Sequence, residues 1–339
     1  VKVQCLEHRE NGNHLSLLLD SSLDGSGWTP ASLAFLTELV TQLPAEDAAE
    51  LAQKAGVNIS RAELDRLARD LGEACHVEHR LALLKLAHAP LEPALAQGEG
   101  RVMVLQMDGC FVLGQAQDGK CSGIEIKTVC VYPQNAPRER TLYSSVESAE
   151  DFCDPVAGLL RQAGVRQNDT VVLVGDGAPW IARIAELQNL PLVLDVFHAS
   201  HYLDVVMQAS EWNETQRLTE RKRLLKGELK VQSWLDTNLP LPYKRETWNE
   251  DALGALAYLQ NRVAQMDYPS FLSRGWPIGS GQIEGINKSV IGHRMKRSGQ
   301  HWSGLGARGM ASLRAQRYSR RSPLSQDHLR HAAFPTSHF

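Results

Sequence analysis

The pattern of apolar and polar positions predicts three short helices near the start of the chain, over residues 30–43, 45–55 and 60–75. Thr29 followed by Pro30 fits an N-cap with proline at the first helical position. Ser60 with Glu63 three residues later is a capping-box signature. The tight turn Gly56-Val57-Asn58 allows a helix-turn-helix, and it equally allows a small helical bundle that acts as a packing platform. Residues 1–28 are polar and poorly periodic.

After the linker Gln97-Gly98-Glu99-Gly100 the pattern changes to short apolar runs. Strands are predicted over 102–107, 124–132 and 140–144, a helix over 148–163, a buried strand over 170–174, a helix from Pro179 and a strand over 190–196. Another helix is expected after His198. Residues 200–275 contain no convincing strand; with Trp212, Trp234, Trp248 and charged segments such as 220–226, they read as a helical insertion. The chain returns through Trp276-Pro277-Ile278-Gly279-Ser280-Gly281 into a helix bearing Glu284.

With 339 residues, 43% hydrophobic and 22% charged, the chain has the composition of a globular protein large enough to bury a sizeable core. No apolar run approaches the roughly 18 residues that cross a bilayer, and residues 1–20 do not read as a secretory signal. The chain begins with Val1, so a truncated product is expected. Six cysteines without a CxxC pair exclude a zinc ribbon, and free thiols in a reducing cytoplasm are expected. The net charge of −3 conceals an asymmetry: from Lys288 to Arg321 there are nine Lys and Arg residues and no Asp or Glu. Such a segment suits a polyanionic partner, and it is also compatible with a solvated basic helix.

Asp108-Gly109 is placed at the end of an apolar strand, where turn chemistry alone accounts for it. Asp176 repeats the arrangement in Gly175-Asp176-Gly177, between a strand and a helix. Gly-rich turns of this kind cradle phosphate in some proteins, but the Walker lysine and GxGxxG spacing are missing here. Two carboxylates on neighbouring strands repel, and a hard divalent cation is the usual reason to place them together. Asp195 and His198 form a third cluster after a strand, where Asp195 or Ser200 could instead cap the next helix. Glu284 alone would be an ordinary solvated helix residue.

In combination these residues resemble the DDE transposases of bacterial insertion sequences, nearest to the Kra group, which is related to the mutator-like and hAT superfamilies. The likeness rests on Val174-Gly175-Asp176-Gly177-Ala178-Pro179-Trp180-Ile181 and on Leu194-Asp195-Val196-Phe197-His198. It rests further on Pro277-Ile278-Gly279-Ser280-Gly281 running on to Glu284, Asn287-Lys288, Arg294-Met295-Lys296 and Ser298-Gly299-Gln300-His301-Trp302. It covers about 100–320 well and 30–75 loosely. The resemblance implies an α/β fold: an RNase H-like mixed sheet with a large all-helical insertion, preceded by a small N-terminal helical domain. The expected division is 1–28 as the remnant of a truncated segment, 29–96 helical, 101–199 with 276–320 as core, 200–275 inserted, and 321–339 as tail.

Carried over by residue, the resemblance implies that Asp108, Asp176 and Glu284 hold two Mg²⁺ ions, with Mn²⁺ as a substitute, and act in DNA strand cleavage and transfer. It implies that His198 contacts the scissile phosphate or supports the site, with Asp195 beside it. Lys288, Arg294, Lys296, Arg297, Arg314 and Arg317 become candidate DNA contacts, and one of Trp212, Trp234 and Trp248 a candidate for stacking on a flipped base. The implied partners are transposon-end and target DNA, with a homo-oligomer assembled on it. Relatives carry a metal-binding segment ahead of the helices, of which only Cys5 and His8 are matched here. A DNA-binding remnant or repressor without catalysis, and a nuclease that cleaves without joining, are the competing readings.

Overall fold

The structure is a computed structural model that describes residues 7–10, 13–16, 28–94, 100–117, 120–239 and 245–319. The Gln97–Glu99 part of the linker, the 321–339 tail, Arg320 and Cys5 lie outside the described residues. Within 1–28, Glu7–Glu10 and Asn13–Ser16 pair as an antiparallel hairpin.

Three helices follow: α1 (Pro30–Gln42), α2 (Ala45–Lys54) and α3 (Arg61–Ala87). Local chemistry fixes their starts. The Thr29 hydroxyl accepts from the Ser32 amide at 3.2 Å, and the Ser60–Glu63 capping box forms. Helix α3 runs three turns beyond its predicted end, because residues 76–87 offer no glycine or proline to stop it. Its first half packs with α1 and α2, and Leu83 joins the core behind the sheet. A Cβ on Gly72 would lie 2.8 Å from the Gly309 backbone, which shows how closely α3 crosses α13 (Gly304–Tyr318). A Cβ on Gly158, in α4 (Ala149–Gln162), would overlap the Leu83 carbonyl. This burial of α3 is what a packing platform requires.

The central sheet has five strands: β1 (Val102–Gln117), β2 (Lys120–Pro133), β3 (Thr141–Ser145), β4 (Thr170–Gly175) and β5 (Leu192–Leu194), in the order β3-β2-β1-β4-β5. The pairs β1–β2 and β2–β3 are antiparallel, and β1–β4 and β4–β5 are parallel. The fold is therefore α/β with a mixed sheet. Side chains alternate across β1: Val104, Cys110 and Val112 enter one core, and Met103, Leu105 and Met107 the other.

Strand β1 extends ten residues past its predicted end, which corrects the placement of Asp108. Asp108 pairs with Thr128 and Gly109 with Lys127 in continuous ladder register, so Asp108-Gly109 is mid-strand and not a turn. Helix α5 (Pro179–Leu187) joins β4 to β5, strand β5 is shorter than predicted, and α6 (Val196–Ala209) begins directly after Asp195. Helices α6, α7 (Glu214–Leu225), α8 (Val231–Asn238), α9 (Glu250–Gln260) and α10 (Tyr268–Ser273) then carry the chain from the sheet to the return segment, with no strand among the described residues. No helix among the described residues is long and apolar enough to cross a membrane.

Candidate active site

Parallel β1 and β4 bring Asp108 and Asp176 to the same end of the sheet. Burial is the main cause of an Asp108 pKa above the ordinary carboxylate value, and the charge of Asp176 adds to it. A hydrogen bond from Asn287 Nδ2 to Asp108 Oδ2, at 2.8 Å, acts in the opposite direction, as does the nearby His198. The Asp176 turn is braced on both sides. Asp176 Oδ1 accepts from the Ala178 amide at 2.9 Å, and Gly177 takes φ +77°, which glycine alone adopts freely.

The helical segment after β5 grips this turn, with Tyr258 of α9 and Arg262 just beyond that helix. Tyr258 Oη donates to the Asp176 carbonyl at 2.5 Å, and Arg262 Nη2 donates to the Gly177 carbonyl at 3.0 Å. The Arg262 guanidinium lies 4.0 Å from the centre of the Tyr258 ring, which stacks on Tyr202 at 3.8 Å.

Asp195 is fully buried and caps α6. Its Oδ2 accepts from the His198 amide at 3.0 Å and lies 2.9 Å from His198 Nδ1, while Oδ1 accepts from the Ser280 amide at 2.7 Å. Both oxygens are therefore engaged, and Asp195 positions its neighbours. Burial alone would raise its pKa, but the hydrogen bonds from His198 and Ser280 leave it below the ordinary value. His198 shifts upward, chiefly through its hydrogen bond to Asp195, with smaller contributions from the charges of Asp195, Asp176 and Asp108. Protonation of His198 is thus favoured by Asp195 in contact with it and by the more distant Asp176 and Asp108.

The return segment is tied to β1 by Gln106. Its buried amide donates to the Gly279 carbonyl at 3.0 Å and accepts from the Ile283 amide at 2.9 Å. These bonds seat α11 (Gly281–Ile286), so that Glu284 and Asp108 line one cleft of about 420 Å³. Lys288 and Lys296 line it too, and Lys288 Nζ lies 4.0 Å from Glu284 Oε2. A π-helical turn, Asn287–Gly292, follows and turns Asn287 onto Asp108. Asp108 and Asp176 thus interact, and Asp108 and Glu284 share a cleft. Among the described residues no three His, Cys, Asp or Glu side chains form a group that would hold a metal ion, so the expected triad is not drawn together as a ligand set.

Three of the expected DNA contacts are corrected by burial or pairing. Arg314 is 1% exposed and donates to the carbonyls of Val290, Thr41 and Ser289, which welds α13 to α1 and the π-turn. Arg294, 5% exposed, donates to the Val40 carbonyl at 3.0 Å and does not line the Asp108 cleft. Arg317 forms an ion pair with Glu38 of α1. These three fasten the helical domain to the core. Lys288, Lys296 and Arg297 are exposed. Trp234 is also corrected, because it is buried against Trp212, and Trp212 and Trp248 pack on the same core. Two exposed aromatic rings lie beside the site: Phe111, 61% exposed, in the lining of the Asp108 cleft, and Phe197, 59% exposed, next to His198.

Gln106, Asn287, Tyr258 and Arg262 received no role from the sequence. Gln106 had a readable signal, a lone amide on the core face of an apolar strand. The chain matches no family model and no curated protein.

Proposed function

We propose that the chain is a DDE-type transposase, which cuts DNA and joins strands with carboxylates carried on an RNase H-like fold. The observation that carries this reading is the Asp108–Asp176 pair: two carboxylates at the same end of adjacent parallel strands, Asp108 within β1 and Asp176 just past β4, with burial and the charge of Asp176 both opposing ionisation of Asp108. Such a pair is costly unless a cation is bound or a proton shared. The strand order β3-β2-β1-β4-β5 supports the fold assignment, and Glu284 returning to the Asp108 cleft after a helical insertion supports the catalytic one.

Asp108, Asp176 and Glu284 offer oxygen donors of the type a hard divalent cation takes, although as placed here the three do not form a closed ligand group. Such an ion would activate an oxygen nucleophile and neutralise charge at phosphorus. The chain's own residues would do the rest. Asn287 holds Asp108 in one rotamer, Tyr258 and Arg262 hold the Asp176 turn, and Lys288 and Lys296 draw the phosphate backbone to the cleft. His198, oriented by Asp195 and with its pKa raised by that hydrogen bond, would serve as the proton donor at the phosphate.

One observation favours the reading as a silent DNA-binding remnant: Glu284 is ion-paired with Lys288, and among the described residues no three His, Cys, Asp or Glu side chains gather as a metal-holding group. Incubation with supercoiled and linear DNA in Mg²⁺, scored for nicking and for joined products, separates the readings. A transposase gives both products, a nuclease only nicks, and a remnant binds without cutting.

A further inference from the structure

The larger of the two cavities described lies away from Asp108. It measures about 430 Å³ and opens where the start of α2 and the first turns of α3 meet residues 299–303, at the seam between helical domain and core. It shares no lining residue with the Asp108 cleft. Ala68, Met310 and Trp302 provide apolar walls, and Gln115 and Gln300 bring side-chain amides to it. The volume is within the range of small-ligand sites and well beyond that of a bare anion.

Arg294 is the unusual member of this lining. Its guanidinium lies 5.4 Å from the centre of the Trp302 ring and its Nε bonds to the Val40 carbonyl. With the Gln300 amide turned to satisfy both its ends, the amide oxygen accepts from Arg294 Nη1 at 2.9 Å. All these acceptors are neutral, and Arg294 forms no ion pair among the described residues. The charge of Asp65 acts on Arg294 from beyond ion-pair distance, so the buried cation has no direct counter-ion, and an anion in the cavity would offset the cost of burying it. Burial and the neighbouring Arg314 and Arg297 bring its pKa down to about 10, which leaves it charged at neutral pH. Glu46 and Asp65 also line the cavity, but both are exposed and Arg61 lies 3.8 Å from each. Arg69, exposed at the rim, forms no ion pair among the described residues.

We propose that this cavity binds a phosphate-bearing nucleotide unit, with its phosphate toward Arg69 and Arg294 and its base between Trp302 and the amides of Gln115 and Gln300. The unit is either a free nucleotide or one residue of a nucleic-acid strand. The choice of a nucleotide over other phosphate esters rests on the DNA-processing reading above, but the site itself requires no metal.

The test is binding by the full chain in EDTA, with labelled oligothymidylate, dAMP and inorganic phosphate as separate probes. Hydrogen exchange of residues 61–69 and 298–306 locates the bound probe. Oligothymidylate or dAMP should protect both segments and bind more tightly than inorganic phosphate. Arg69→Ala combined with Gln115→Ala, both exposed, should lose the protection and weaken dAMP binding about tenfold, with the melting temperature near that of the parent. Asp108→Asn should leave dAMP binding unchanged. Protection by the strand but not by dAMP assigns a strand residue, and equal protection by both assigns a free nucleotide. Absence of protection by either probe, inorganic phosphate binding as tightly as both, or a double variant that binds dAMP like the parent overturns the proposal. If DNA is never cut while the cavity binds as described, only the transposase reading fails; if DNA is cut while the double variant binds normally, only this site fails.

Discussion

The hydroxyl of Tyr258 lies 2.5 Å from the backbone carbonyl of Asp176, so α9 holds the turn that presents one of the carboxylates at the sheet's end. The helical segment that follows β5 is thereby coupled to the site and is more than a covering layer. Tyr258→Phe removes one hydrogen bond and keeps the ring stacked on Tyr202, so stability should fall by only about 1 kcal/mol. Strand cleavage should fall further, about tenfold, with DNA affinity unchanged, because the loss is in carboxylate placement. Parallel measurement of denaturant midpoint, DNA affinity and nicking rate checks this. A variant whose nicking rate and affinity fall together would assign Tyr258 a general structural role.

How legible these features were depended on their range. Helix starts could be read because caps are local: Thr29, Ser60 and Glu63 act within a few residues of themselves. Asp108-Gly109 reads locally as a strand end, whereas its mid-strand conformation is set by Thr128 and Lys127 on the facing strand, which no local rule sees. Asp176 and Asp195 were correctly placed at strand ends, where glycine and the onset of a helix mark the chain's exit from the sheet. The basic run from Lys288 onward looked uniform in sequence. Folding divides it between buried Arg294 and Arg314, paired Arg317 and exposed Lys288 and Lys296, according to which side faces α1.

Gln106 fastens the return segment to β1, and its removal should loosen Glu284. Gln106→Leu abolishes both amide bonds and leaves the Gly279 carbonyl and Ile283 amide without this partner. The cost should be about 2–4 kcal/mol, read from urea unfolding. Hydrogen exchange should quicken in 279–286 before it does elsewhere. A loss under about 0.5 kcal/mol, typical of a neutral surface change, would contradict the clamp.

The positive segment should divide by function. Arg314→Ala leaves three buried carbonyls short of a donor and should cost roughly 3 kcal/mol or more in stability. Lys288→Ala with Lys296→Ala should leave stability nearly unchanged. That pair should lower the slope of log affinity against log salt by about one unit per lost phosphate contact. A salt slope unaltered by the double lysine change would show that the Asp108 cleft does not hold DNA.

The Asp195–His198 pair gives stability a pH signature. The folded pKa of His198 is raised, so its contribution is complete below the unfolded value of about 6.5 and disappears as pH rises through the higher folded value. Asp195 has a lowered folded pKa, so its contribution is present above about 3.9 and is lost as pH falls through the lower folded value. His198→Gln should therefore destabilise the protein more at pH 5 than at pH 9, as measured by melting at each pH. An equal loss at both values would mean that His198 is neutral in the fold.

Asp176→Asn tests the central claim most directly. The change preserves size but removes one of two repelling charges, so the metal-free protein should melt at the parent's temperature or slightly higher. DNA affinity should persist, because the exposed lysines that supply it are untouched. The decisive measurement is nicking of supercoiled DNA in Mg²⁺ by parent and variant, prepared and assayed together. The account predicts nicking by the parent and none above background by Asp176→Asn. A variant that nicks as fast as the parent would make Asp176 a turn residue only and contradict the assignment of this site to catalysis.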